Sequence, residues 1–286
     1  MHFILLSMTC SVLVSVLLKL APRRGWDAGQ MVTWNYLAAA MLSAWLQRPP
    51  PAALRHGDAP WPELLALAFV LPTLFLVLAA AVRRSGIVRT DVAQRLSLLL
   101  SLGAAFLLFG EQAGPMKLAG LALGLCAVVG ILARPDSHAA PDRRGWMLLL
   151  AVWIGYAVVD VLLKRLAVAG TPATAALQVA FVLAFLGMLL WQGWRRLRHG
   201  VRPGLRHIAA GLLLGVLNFG NIVFYVRAHQ SLPESPAVVF ASMNIGVVVL
   251  GTAVGVLAFG EKTSTLNRIA IALAVLAIAL ISLAPR

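Results

Sequence analysis

Charged and amide side chains are scarce inside the long apolar runs of this 286-residue chain, so each one found there is a candidate for chemistry. A charge near the centre of a bilayer costs at least about 2.5 kcal/mol, and it needs a partner, a wet cavity or a route to the interface. Asp160 and Lys164 stand four residues apart, on one face of a helix, where they are close enough to pair. With Tyr156 one turn earlier, Asp160 has two readings. It binds a cationic group or a coupling proton at a central cavity, or it forms a structural pair with Lys164. Asp91 and Arg95 make a second acid–base pair with Gln94 between them, either facing the cavity or lying at the interface.

Amides and aromatic rings come next. Asn35 lies between Trp34 and Tyr36, and Asn218 and Asn221 precede Tyr225. Amides and phenols orient a polar ligand, while ring faces enclose its apolar part or attract a cation. Asn218 stands out because Gly215 and Gly220 allow the backbone to be approached closely. Gln94 and Asn244 occupy matching places in the two halves of the chain, to hydrogen-bond a substrate or a neighbouring helix. Trp26, Trp61, Trp146 and Trp194 fall at the ends of apolar runs and read as interface anchors. Glu111 and Glu261 each precede an apolar run, where a carboxylate favours the N-terminus of the following helix. Lys19 lies near the end of its run and can reach the headgroups.

The elements that position these residues follow from composition. The chain is 60% hydrophobic and 12% charged, more apolar than a soluble core of this size can bury. A spanning helix needs about 20 apolar residues. Runs at 2–20, 30–46, 63–82, 87–109, 115–133, 146–167, 174–194, 208–228, 235–259 and 264–283 therefore predict ten spans, which leaves no room for a soluble catalytic domain. The formal charge of +14 invites a nucleic-acid reading. However, the basic residues form short clusters between spans, such as Arg195, Arg196, Arg198, Arg202 and Arg206, which suits anionic headgroups and topology control. Cys10 and Cys126 have no metal-ligand spacing and are expected as packed thiols without a disulfide. Neither a metal nor a cofactor is expected. The first run is read as a retained helix, since no basic segment or small-residue cleavage site accompanies it.

Two halves of the chain match. VSVLLK at 14–19 pairs with VDVLLK at 159–164, and FGE at 109–111 with FGE at 259–261. Five spans per unit make the second copy enter the membrane in the opposite direction, which places a binding site near the midplane between the copies. The expected fold is an all-α integral membrane protein of ten transmembrane helices in two inverted five-helix repeats, residues 1–135 and 136–286.

Several segments also resemble a known family: NYLAAAMLS at 35–43, RLSLLLSLGAAFLLFGE at 95–111, LNFGNIVFY at 217–225, SPAVVFASMNIGVVVL at 235–250 and the second FGE. The chain is similar to bacterial members of the drug/metabolite transporter superfamily, in its ten-helix EamA-like branch. That resemblance implies a place in the bacterial cytoplasmic membrane. Related proteins are associated with export of amino acids and metabolites, with sugar-phosphate exchange and with movement of nucleotide sugars or lipid-linked sugars.

The resulting expectation is a secondary transporter and not an enzyme. It exports a small metabolite by alternating access, with a proton as one available driving ion at Asp160. No phosphate-loop pattern is present. A flippase for a lipid-linked sugar or phosphate is the alternative within transport. A membrane-embedded enzyme or a scaffold is the alternative outside it, and the scattered acids do not form the paired motifs that an enzyme of this kind would use to hold Mg²⁺. Expected partners are a small-molecule substrate and membrane lipid, with no nucleic acid. Gly120 and Gly124 suit close helix packing, within the fold or in a homodimer. With the N-terminus inside, only seven of the 24 basic residues would be cytoplasmic and 17 would lie on the other face. Charge therefore favours external termini, whereas the resemblance implies cytoplasmic ones.

Overall fold

Long runs of Leu, Ala and Val, broken by Pro, Gly and charge clusters, give helices throughout the computed structural model. It describes residues 2–48, 60–109, 114–132, 143–232 and 236–283. In chain order the helices are α1 (His2–Leu20), α2 (Ala28–Leu46), α3 (Trp61–Ser85), α4 (Ile87–Arg95), α5 (Ser97–Phe109), α6 (Pro115–Leu132), α7 (Arg143–Val168), α8 (Ala173–His199), α9 (Leu205–Ser231), α10 (Pro236–Phe259) and α11 (Thr265–Leu283). No strand occurs among the described residues. Among the described residues, seven helices are long and apolar enough to cross a membrane: α1, α3, α7, α8, α9, α11 and the Val238–Phe259 stretch of α10.

The fourth expected span, 87–109, is not one helix. It breaks at Leu96 into α4 and α5. The carbonyls freed at the break find donors: the Trp153 indole of α7 donates to Leu96 O at 2.8 Å, and the Ser97 hydroxyl to Gln94 O at 2.7 Å. A break inside an apolar span survives only where such partners satisfy the backbone.

The halves of the chain pack chiefly on each other. α9 lies against α1 and α2, α3 against α7 and α8, α6 against α11, and α4 against α7 and α10. Gly211 and Gly215 bring α9 onto the backbone of α2. A Cβ at Gly211 would stand 2.6 Å from Met31 O and 2.7 Å from Trp34 Cβ. Gly211→Ala is accordingly expected to cost about 1–3 kcal/mol through overpacking, read as a lower midpoint of thermal unfolding in detergent. An unchanged midpoint would mean that the two helices have room to separate. Gly120 meets Ile281 of α11 and Gly124 meets Leu99 of α5, so this pair packs within the chain.

Arg195 is not simply a headgroup contact. It grips Asp27, the N-cap of α2, through Nη1–Oδ1 at 2.8 Å and Nη2–Oδ2 at 2.9 Å, and it lies over the Trp191 ring. The guanidinium holds the Asp27 carboxyl below the usual carboxylate range. Burial opposes that effect, and the Gln30 N–H reinforces it. Because the folded-state value is depressed, the stability it contributes is complete above the unfolded value of about 3.9 and is lost as pH falls through the folded value. Arg195→Gln is expected to flatten that acid limb in unfolding measurements against pH. A limb of unchanged steepness would assign it to other groups.

Candidate functional site

α4 ends at Arg95 and α5 begins at Ser97, with the break at Leu96 between them. Around it lies a cavity of about 480 Å³, lined from α4 and α5 on one side and from α7, α9 and α10 on the other. Its polar wall comprises Gln94, Arg95, Ser101, Asp160, Asn221 and Asn244, with the phenols of Tyr156 and Tyr225 beside them. Leu98, Ile222, Phe240 and Met243 supply an apolar portion.

Seven of the residues singled out in the sequence meet there: Gln94, Arg95, Tyr156, Asp160, Asn221, Tyr225 and Asn244. Asp160 is exposed to the cavity, and its hydrogen bond comes from Ser101 Oγ at 2.6 Å. Ser101 is thus a partner of Asp160 from α5, which packs against α7. Lys164 is not one of the lining residues. Asn35 and Asn218 also lie elsewhere. Asn218 Nδ2 donates to Asn35 Oδ1 at 3.3 Å in the α2–α9 contact, where Gly215 allows the approach.

Arg95 is the cation of the cavity. Its Nη2 donates to Ser11 Oγ at 2.7 Å and its Nη1 to Asn244 Oδ1 at 3.3 Å. The expected ion pair with Asp91 does not form. Asp91 is 3% exposed and accepts a hydrogen bond from Ser15 Oγ at 2.7 Å. Ser15 is the repeat counterpart of Asp160, so a polar residue at this register serves the interior in both halves. Asn221 accepts from Ser7 of α1 through both its carbonyl and its side-chain oxygen.

The hydroxyls of Ser7, Ser11, Ser15 and Ser101 were not singled out in the sequence. Serine is common in membrane helices, and only its placement beside a charged or amide side chain gives it meaning. The signal available was the recurrence of Ser7, Ser11 and Ser15 at four-residue steps on one face of α1.

Lys19 and Glu261 both differ from expectation. Glu261 does not serve α11. It caps α4, accepting from Ile87 N at 2.7 Å and Val88 N at 3.1 Å. Lys19 does not reach for headgroups: it pairs with Glu261 at 3.1 Å and donates to Val82 O at 3.2 Å. The start of α4 has lost its helical predecessor at Gly86, φ +88°, so its free N–H groups take the nearest carboxylate. At α11 the Ser264 hydroxyl caps Asn267 N instead. Glu111 lies outside the described residues. No group of three or more His, Cys, Asp or Glu suited to a metal occurs among those described, and Cys10 and Cys126 are free thiols.

Residues 1–133 and 143–283 each match the profile of the EamA-like transporter family. The chain belongs to the EamA-like transporter family. A protein of Haemophilus influenzae (strain ATCC 51907 / DSM 11121 / KW20 / Rd), described only as uncharacterized, is 39% identical over 273 residues, covering 93% of this chain and 92% of its own. A solved crystal structure of a 22% identical protein aligns over 98% of this chain and 96% of that one with a TM-score of 0.59, and so shares the fold. This EamA-family chain is a multi-pass membrane protein and a transporter of small molecules.

Proposed function

We propose that this EamA-family protein is a secondary transporter that exports a small metabolite bearing both a positive and an anionic group. One observation carries the reading: a single cavity, built by helices of both halves, has Arg95 and Asp160 on its polar wall and an apolar portion beside them. Arg95 binds the anionic group of the solute, with Asn244 helping to hold the guanidinium. Asp160 binds the cationic group. Gln94 and Asn221 take its remaining polar atoms, and Tyr156 and Tyr225 enclose its body.

Movement is by alternating access. The chain comprises ten spans in two inverted five-helix repeats, residues 1–135 and 136–286, which rock about the cavity. The contacts between α1 and α9, α3 and α7, and α6 and α11 support that division, because each joins one half to the other. The protein sits in the bacterial cytoplasmic membrane with its termini outside, as the clustering of basic residues favours. Proton and solute compete for Asp160, so an inward proton gradient drives the solute out.

The test is release from proteoliposomes loaded with labelled metabolites grouped as zwitterions, cations, anions and neutral solutes, under imposed pH gradients. Release of zwitterions in preference to the other classes is expected. Release confined to neutral or purely anionic solutes would overturn the two-charge site. No release of any class would favour flipping of a lipid-linked head group.

A further inference from the structure

Two buried polar atoms on α4, Asp91 Oδ2 and Arg95 Nε, have no hydrogen-bond partner among the described residues. They belong to side chains four residues apart on one helix face, the spacing at which a carboxylate and a guanidinium ordinarily pair. Here they do not. Asp91 keeps a single bond, from Ser15 Oγ, and its free oxygen lies against α10 at Gly251, where any Cβ would strike it. Arg95 is committed to Ser11 and Asn244 at the cavity.

An ionised carboxylate buried with one oxygen unanswered costs several kcal/mol, whereas the neutral acid avoids most of that penalty. The arrangement is thus that of a protonated Asp91. On α4 itself Arg89 stands two residues from Asp91, off its face, and has an interaction of its own, whereas Arg95, one turn on, is placed to answer an ionised Asp91. Lys19 of α1 and Glu261 after α10 are paired with each other. Tyr156 and Asp160 of α7 and Tyr225 of α9 lie on the cavity side of Arg95. On α3, Arg83 and Arg84 belong to the last turn. α5 carries no ionisable residue, and α6 carries only Lys117 and Cys126.

We propose that Asp91 and Arg95 form a proton-operated switch of the anion-binding group. With the proton on Asp91, the guanidinium serves the cavity. When the proton leaves to water, the guanidinium turns one helical turn back to the new carboxylate and the cavity loses its positive charge. Both orphaned atoms then find each other. The consequence for transport rests on the two-charge site described above: affinity for the anionic end of the solute falls as pH rises. The switch itself does not rest on it.

Infrared spectroscopy of the purified full chain carrying Asp160→Asn tests this without any solute. The expected result is a protonated-carboxyl C=O band that is absent when Asp91→Asn is added and that fades as pH rises. With Arg95→Gln the band should persist about one pH unit higher, a tenfold gain in proton affinity, because the ionised form has lost its partner. With Asn244→Ala, which frees the guanidinium from one cavity partner, it should fade at lower pH. The second variant keeps the test open if the first does not fold. Absence of any band assignable to Asp91, or a band whose pH course neither variant moves, would overturn the switch. A band that behaves as expected in a protein without solute flux would leave the switch standing and remove the transport reading instead.

Discussion

Replacing Asp160 by Asn is expected to lower transport of the two-charge solute about 30-fold or more and to remove the loss of affinity on the acid side. The magnitude follows from taking away one partner of a desolvated charge pair, about 2–5 kcal/mol, with the lower end appropriate because Asp160 opens to a wet cavity. Asn keeps the shape and can still accept the Ser101 hydroxyl, so the 2.6 Å bond between α5 and α7 need not be lost with the charge. Folding should therefore persist. The pH dependence discriminates: a proton competing at Asp160 weakens solute binding as pH falls, and with Asn there is no site for that competition. Solute release from proteoliposomes at several internal pH values measures both effects. Full transport with an unchanged acid limb in the variant would exclude Asp160 from binding and from coupling together.

Glu261 carries the largest expected effect on stability. Its carboxylate answers two free backbone N–H groups at the start of α4 and the ammonium of Lys19, with side-chain exposures of only 13% and 18% for the acid and the lysine. Breaking a buried pair by removing one partner typically costs about 3–5 kcal/mol, since the other charge is left without compensation. Glu261→Gln should fall in that range, and Lys19→Met should cost less, because the cap on Ile87 and Val88 remains. The double variant should be less destabilised than the sum of the single ones, by about 1 kcal/mol or more, because its cap is no longer asked to answer an isolated lysine. Thermal unfolding of the four proteins in one detergent provides the cycle. Strict additivity would show that the cap and the ion pair act independently.

Hydropathy alone indicated where helices lie, because the cost of placing backbone and charge in hydrocarbon dominates every local preference. It failed at Leu96. The run SLLLSLGAAFLLF continues unbroken past that residue, and the Trp153 indole that donates to Leu96 O at the break lies 57 positions along the chain. The cavity was legible where a polar residue sat inside a span with no local explanation, as with Gln94, Asp160, Asn221 and Asn244. Asn35 and Asn218 carried the same signal and bond to each other instead, Asn218 Nδ2 donating to Asn35 Oδ1 across 183 residues, a pairing that no local pattern announces. Lys19 and Glu261 were misassigned for the same reason. Each had a plausible local role, and the stronger one came from the opposite half of the chain.

Solute is expected to pass through the cavity at Arg95 and Asp160. The most direct measurement places a single thiol there, Leu98→Cys in a chain carrying Cys10→Ser and Cys126→Ser, and follows zwitterion flux and labelling by a water-soluble thiol reagent in proteoliposomes. Leu98 lines the cavity without entering its polar network, so the unlabelled variant should transport normally. Labelling is expected to stop flux, and transported solute to slow labelling at least severalfold. Complete labelling with flux undiminished and no protection by solute would contradict it.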